Sequence, residues 1–275
     1  MTTTRLSTTR LGRAFKDLEQ GLATRTFTVS DAERVLQLSK RTVSLILKEL
    51  TDQRTLVRIG RGTYSLSAKP TAVAEPSTLP PASRRLHKTL ATEGIQFALS
   101  CLDVLGGFTH LALRRYPHFS WVARGSEDWA ASTAEAAGFV PIREPTRSQL
   151  SMALELAGER DSIIIRKSSI YYGTTNGLAT VERALVDLHF EVTRKRYPLD
   201  EAELLRVFYY TLTSVSTDFP KMLRYAGLRK LREEIMWILW QFRNRIEIPK
   251  TYLDRTTRPT KFIDGFPALD EVISR

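Results

Sequence analysis

The sequence predicts a mixed α/β protein in two folded units, and three observations lead there. Its 275 residues exceed what one domain of roughly 100–200 residues needs. The run Ala68–Ala82 (AKPTAVAEPSTLPPA) holds four prolines and shows neither helical nor strand period. Short β-prone runs are mixed with helical patterns on both sides of it, until the chain turns mostly helical from Thr180. The expected units are 1–67 and 83–275, the second an α/β domain ending in helices, joined by a semi-extended Pro-rich linker at 68–82. The competing reading of 68–82 is a loop packed on either unit.

Composition bounds the function. At 42% hydrophobic residues the chain has enough apolar content to fold. Cys101 is the only cysteine, which excludes internal disulfides and any multi-cysteine zinc site. No run approaches the ~18 uncharged apolar residues of a membrane span. No hydrophobic run follows MTTTRLSTTR, so no secretory signal is read there, and a cytoplasmic protein without membrane partners is expected.

Element by element, Leu11, Phe15, Leu18 and Leu22 recur at helical steps, and Phe27–Val29 suffices for a short strand. Ser30–Glu33 has capping-box spacing and opens a helix to about Leu38. Ser39 is a second N-cap candidate, followed by Val43, Ile46, Leu47 and Leu50 on one helical face. The other face shows Lys40, Arg41, Thr42, Ser44 and Lys48. Leu56–Ile59 and Thr63–Leu66 are β-prone runs around the tight connection Gly60-Arg61-Gly62. Helix, strand, helix, turn, helix and hairpin in this order spell a winged helix-turn-helix.

The charge distribution suits duplex DNA. Residues 1–66 hold twelve Lys and Arg against six acids, a net +6 of the chain's +11. A helix entering the major groove needs polar side chains near its N-terminus, and a wing needs a cation for phosphate. Ser39, Lys40, Arg41, Thr42, Ser44 and Lys48 meet the first need, Arg61 and Arg58 the second. A solvated face, or a winged helix that binds protein, is the plainer reading of the same residues.

In the second unit, 84–93 reads as a helix stopped by Gly94, and Ile95–Leu99 as a buried strand. Ser100 is expected to cap a short helix, with strands following at 119–123, 139–142 and 162–165 and a helix opening at Ser126. Ile170–Tyr172 is expected to pair with the last of these strands. Helices follow at 180–195, 200–213 and across 217–247, where Ile235–Phe242 is core or a dimer surface. Little chemistry is visible. Gly125-Ser126 begins a nucleotidyltransferase signature, but only Glu135 follows where paired aspartates are required. Asp161 and Lys167 flank a strand without the intervening glutamate of a nuclease. Phosphate-binding and nucleophile-elbow motifs are missing, and His87, His110, His118 and His189 lack metal-ligand spacing. Cys101 is either a buried small side chain or a thiol with lowered pKa at a helix start. No catalytic residue, cofactor or metal is expected.

The segment Gly177–Asp187 (GLATVERALVD), with the order of the units, resembles the AbiEi family of antitoxins, with Thr180 where serine is usual. Physically Thr180 reads as the N-cap, Glu182 lies in the first turn, and Arg183 and Asp187 have the spacing of an i,i+4 pair. The resemblance implies a transcriptional repressor of its own operon that binds inverted repeats. It further implies an antitoxin that opposes a nucleotidyltransferase-like toxin, often without a stable complex. The alternative is a nucleic-acid-processing enzyme, a nuclease or nucleotidyltransferase, docked by its winged helix.

Overall fold

The computed structural model describes residues 10–22, 26–52, 55–60, 62–66, 75–108, 116–195, 197–248, 250–253 and 272. The fold is mixed α/β. The first segment runs α1 (Arg10–Gly21), β1 (Thr26–Thr28), α2 (Val29–Leu36), α3 (Lys40–Asp52), β2 (Val57–Gly60) and β3 (Thr63–Ser65). Both β1 and β2 pair antiparallel with β3, which lies between them. The 3.6-residue period of α3 places Val43, Ile46, Leu47 and Leu50 in the core, where Leu18 of α1 and the stacked rings of Phe27 and Tyr64 close the far side.

The capping box lies two residues earlier than expected. Thr28 is the N-cap of α2, its hydroxyl accepting from the Asp31 amide at 3.2 Å, while the Asp31 carboxylate accepts from the Thr28 amide at 2.9 Å. The strand ends on Thr28 in an extended conformation, which is what an N-cap needs, so Ser30 falls inside the helix.

The larger segment contains α4 (Pro81–Thr92), β4 (Phe97–Leu99), α5 (Leu102–Leu105), β5 (His118–Ala123), α6 (Glu127–Ala136) and β6 (Val140–Arg143). After these come α7 (Arg147–Ala157), β7 (Ser162–Ser168), β8 (Thr174–Thr175), β9 (Leu178–Ala179), α8 (Val181–Lys195) and α9 (Glu201–Ser214). The chain closes with α10 (Phe219–Leu228), α11 (Arg232–Gln241) and α12 (Lys250–Leu253). The six strands lie in the order β6-β7-β5-β4-β9-β8. Both neighbours of β7 run parallel to it, and β5 and β4 run antiparallel. Side chains alternate between two cores. Ile163 and Ile165 face α4 and α6, whereas Ile164, Phe119 and Trp121 face the helical side built on α8. A central strand covered on both faces accounts for the unbroken Ile163-Ile164-Ile165 run.

Several expectations are corrected. Residues 68–74 of the linker lie outside the described residues, but 75–82 are packed: Pro76–Thr78 form a 3-10 turn, Leu79 is buried against the α4 side, and α4 starts at Pro81. The larger segment therefore includes residues before 83. Cys101, not Ser100, occupies the N-cap of α5, since the Ser100 hydroxyl is turned onto Asp187. Ile170–Tyr172 is not a strand. The chain turns there, and the neighbours of β7 are β5 and β6 instead. At Gly177 (φ +74°) a Cβ would stand 2.5 Å from the Phe97 ring, so only glycine lets β9 close on β4. Helix α7 has no counterpart in the sequence reading.

The hairpin of the first segment reaches the second. Val57 is buried with the core of the larger segment, and β2 packs beside α10.

Candidate nucleic-acid interface

Three features aim α3 outward. The Ser39 hydroxyl accepts from the Thr42 amide at 3.4 Å and lies 2.9 Å from the Thr42 hydroxyl, which fixes the start of the helix. Gln37 in the left-handed region (φ 52°) ends α2 and makes the sharp turn between the two helices. The four buried apolar residues then fix the rotation of α3. At 3.6 residues per turn, Lys40, Ser44, Lys48, Arg41 and Leu45 fall within one arc of about 140° on the opposite side.

The expected site residues are thus distributed unevenly. Ser39, Lys40, Arg41, Ser44 and Lys48 are exposed, and Thr42 is half-buried at the edge of the arc. Among the described residues Lys40, Arg41 and Lys48 enter no ion pair, whereas Arg34 on α2 is paired with Asp31 at 3.0 Å. Glu49 and Asp52 are also exposed, so the cationic part of the face runs from Lys40 to Lys48, ahead of both acids. Arg58 on β2 is exposed, yet its charge acts on the Asp218 carboxylate that caps α10. Arg61 lies outside the described residues; the adjacent Gly62 has φ +72°. Leu45 stands on the same arc and is 55% exposed. The sequence reading placed it on neither face, although its distance of four residues from Arg41 and three from Lys48 marks it as a neighbour of both.

In the larger segment a set of charged groups is buried. Asp187 accepts from the Ser100 hydroxyl at 2.7 Å, the Tyr225 hydroxyl at 2.6 Å and the Arg183 Nε at 3.2 Å. The i,i+4 pair read from the sequence is present, with both side chains fully buried. Glu182, in the first turn of α8, accepts from the Asp218 amide and so ties α8 to α10. The Thr180 carbonyl accepts the first helical bond of α8, from Ala184, but its buried hydroxyl has no partner among the described residues. Thr180 begins the helix without capping it through its side chain.

A second buried pair, Arg166 and Glu191 at 3.1 Å, was missed by the sequence reading. Burial pushes the Glu191 carboxyl up to about 7 against the opposing pull of Arg166. Burial works against the charged form of His118, but the Asp103 carboxylate at 2.6 Å outweighs it and raises the ring's pKa. Cys101 is fully buried, and burial followed by the Asp187, Glu191 and Asp103 charges pushes its thiol up, the opposite of an activated nucleophile.

These groups pair with one another and with neighbouring strands and helices, which braces the fold. Asp161 is held by Arg85 at 3.0 Å just before β7, and Lys167 sits near the far end of that strand. At ~3.3 Å per residue the two lie roughly 20 Å apart, so they do not meet at one site. A cleft of about 280 Å³ beside β4 is lined by Ile95, Gln96, Phe97, Tyr171, Thr174 and Gly177, which include no carboxylate, histidine or cysteine. Among the described residues no three His, Cys, Asp or Glu gather as a metal would require. No helix among them is long and apolar enough to cross a membrane.

Comparison of the chain with protein-family models and with curated proteins finds no match.

Proposed function

We propose that the first segment is a winged helix-turn-helix that binds duplex DNA, and that the chain is a non-enzymatic transcriptional autorepressor and antitoxin of the AbiEi kind. The observation that carries the DNA-binding reading is the cationic stretch Lys40–Lys48 of α3. Lys40, Arg41 and Lys48 project from one arc with Ser44 between them, without intramolecular ion partners among the described residues. Unpaired cations on an exposed helix are free to displace counterions from phosphate, while Ser44 and the edge residue Thr42 suit base edges. In this reading Ser39 sets the start of the recognition helix and Arg61 is the wing tip. Arg58 is a minor phosphate contact, because its charge is shared with Asp218.

The antitoxin part rests on the Gly177–Asp187 segment and on the order of the two units, 1–67 and 83–275. Its targets are the chain's own operator, as inverted repeats, and a nucleotidyltransferase-like toxin opposed with or without a stable complex. A cytoplasmic setting follows from that role.

The DNA-binding test is a mobility shift on the DNA upstream of the gene across a salt series. Arg41→Ala and Lys48→Ala should each weaken binding and lower the log–log salt slope by about 1. Unchanged affinity and slope in both variants would remove this reading. Separately, co-expression with a nucleotidyltransferase encoded beside the gene should restore growth. Failure there removes the antitoxin role and leaves DNA binding standing.

A further inference from the structure

We propose that Leu45 is a specificity-determining contact, its isobutyl group packing against the 5-methyl group of a thymine in the major groove. The inference rests on the reading of α3 as a DNA-binding helix. Leu45 contributes nothing to the core that fixes α3, whose apolar work is done by Val43, Ile46, Leu47 and Leu50. It is 55% exposed, and it sits at the edge of the cationic arc with Arg41 one turn before it and Lys48 nearly one turn after.

Charge complementarity selects the occupant. An apolar protein surface covering Leu45 would also strip water from Arg41 and Lys48 without pairing them, which is strongly unfavourable. Duplex DNA offers phosphates to those cations and, on the floor of the major groove, one apolar feature at base edges, the thymine methyl. Glu49 and Asp52 follow on the C-terminal part of the helix, where their charge opposes phosphate. The approach is therefore by the stretch Lys40–Lys48, and Leu45 lies within that stretch, ahead of both acids. Leu38, 39% exposed in the turn before α3, lies outside the helix and is no part of the contact.

The experiment uses the full chain and needs no prior operator. Duplexes are selected from a randomised pool, and each thymine of the selected site is then replaced singly by uracil, which removes only the methyl group. With the wild type, one thymine per bound unit should show about a fourfold loss of affinity, the factor that burying one methyl-sized group supplies. Leu45→Ala should bind the thymine duplex less tightly by a similar factor and be indifferent to uracil at that position. Equal uracil effects in the two proteins overturn the proposal, as does wild-type affinity in Leu45→Ala. Loss of self-association in Leu45→Ala by sedimentation, with uracil sensitivity retained, assigns the residue to a second copy and likewise overturns it. Enrichment of no duplex at all defeats the DNA-binding reading itself, a result distinct from the other three.

Discussion

Helices α3 and α8 carry similar residue types to opposite ends. On α3 the charged side chains are exposed and without ion pairs among the described residues, and the apolar ones hold the helix in place. On α8, Glu182, Arg183, Asp187 and Glu191 are all buried and engaged with partners on other strands and helices. The difference teaches that a conspicuous charged motif is weak evidence for a surface site. A buried ion pair costs desolvation, and its removal leaves an unpaired charge, so it restrains sequence for structural reasons. An exposed charge adds little to folding and is available to a partner.

The sharpest way to break this contrast is on α8. Arg183→Met should cost about 3–5 kcal/mol of stability, because Asp187 is left in the core without its cation, and Arg183→Met/Asp187→Leu should recover part of the loss. Urea denaturation of both variants decides it; a single variant as stable as the wild type would show that the buried pair does not brace the fold.

The next effect is pH-dependent. Glu191 has a folded pKa of about 7 against an ordinary value of 4.5, so the folded state binds its proton more tightly. Its stabilising contribution is fully present below pH 4.5 and is lost as pH rises towards 7. Wild-type stability should therefore fall relative to Glu191→Gln across that window, measured by thermal melts at stepped pH. A constant difference between the two proteins would contradict the buried carboxyl.

Smaller still is the cap of α2. Thr28→Ala removes the hydroxyl arm of its capping box, leaving the backbone amide on the Asp31 carboxylate, and should cost about 1 kcal/mol, without altering the exposure of the α3 cations. The smallest change is expected on α3, where Arg41→Ala and Lys48→Ala should leave stability within about 0.5 kcal/mol of wild type. A larger loss there would mean that these cations brace the fold, and the contrast between the helices would vanish.

How far the sequence was legible follows the same divide. Val43, Ile46, Leu47 and Leu50 were readable because one buried face imposes a 3.6-residue period. The Ile163–Ile165 run was readable as a strand, but its covering on both faces needs the whole sheet. Helix α7 was missed because Met152 and Leu156 are exposed and blur its periodicity; the Thr146–Gln149 capping box was the available signal. Ile170–Tyr172 has strand composition, yet the Tyr172 carbonyl is turned to accept from Arg183, a partner eleven residues away. Ser100 has a capping side chain but is drawn to Asp187, 87 residues on. On α3 the cations were legible from spacing alone, whereas Leu45 was passed over because an exposed leucine fits neither face of an ideal amphipathic pattern.

The seat of Val57 within the larger segment's core has a consequence for the chain as a physical object. Scission between the hairpin and Leu79 would lay bare an oily spot on each fragment, at Val57 on one and beside α10 on the other. Each half should then be stickier in isolation than the intact chain, and heating the intact chain should melt both halves as a coupled event rather than as two strangers on a string.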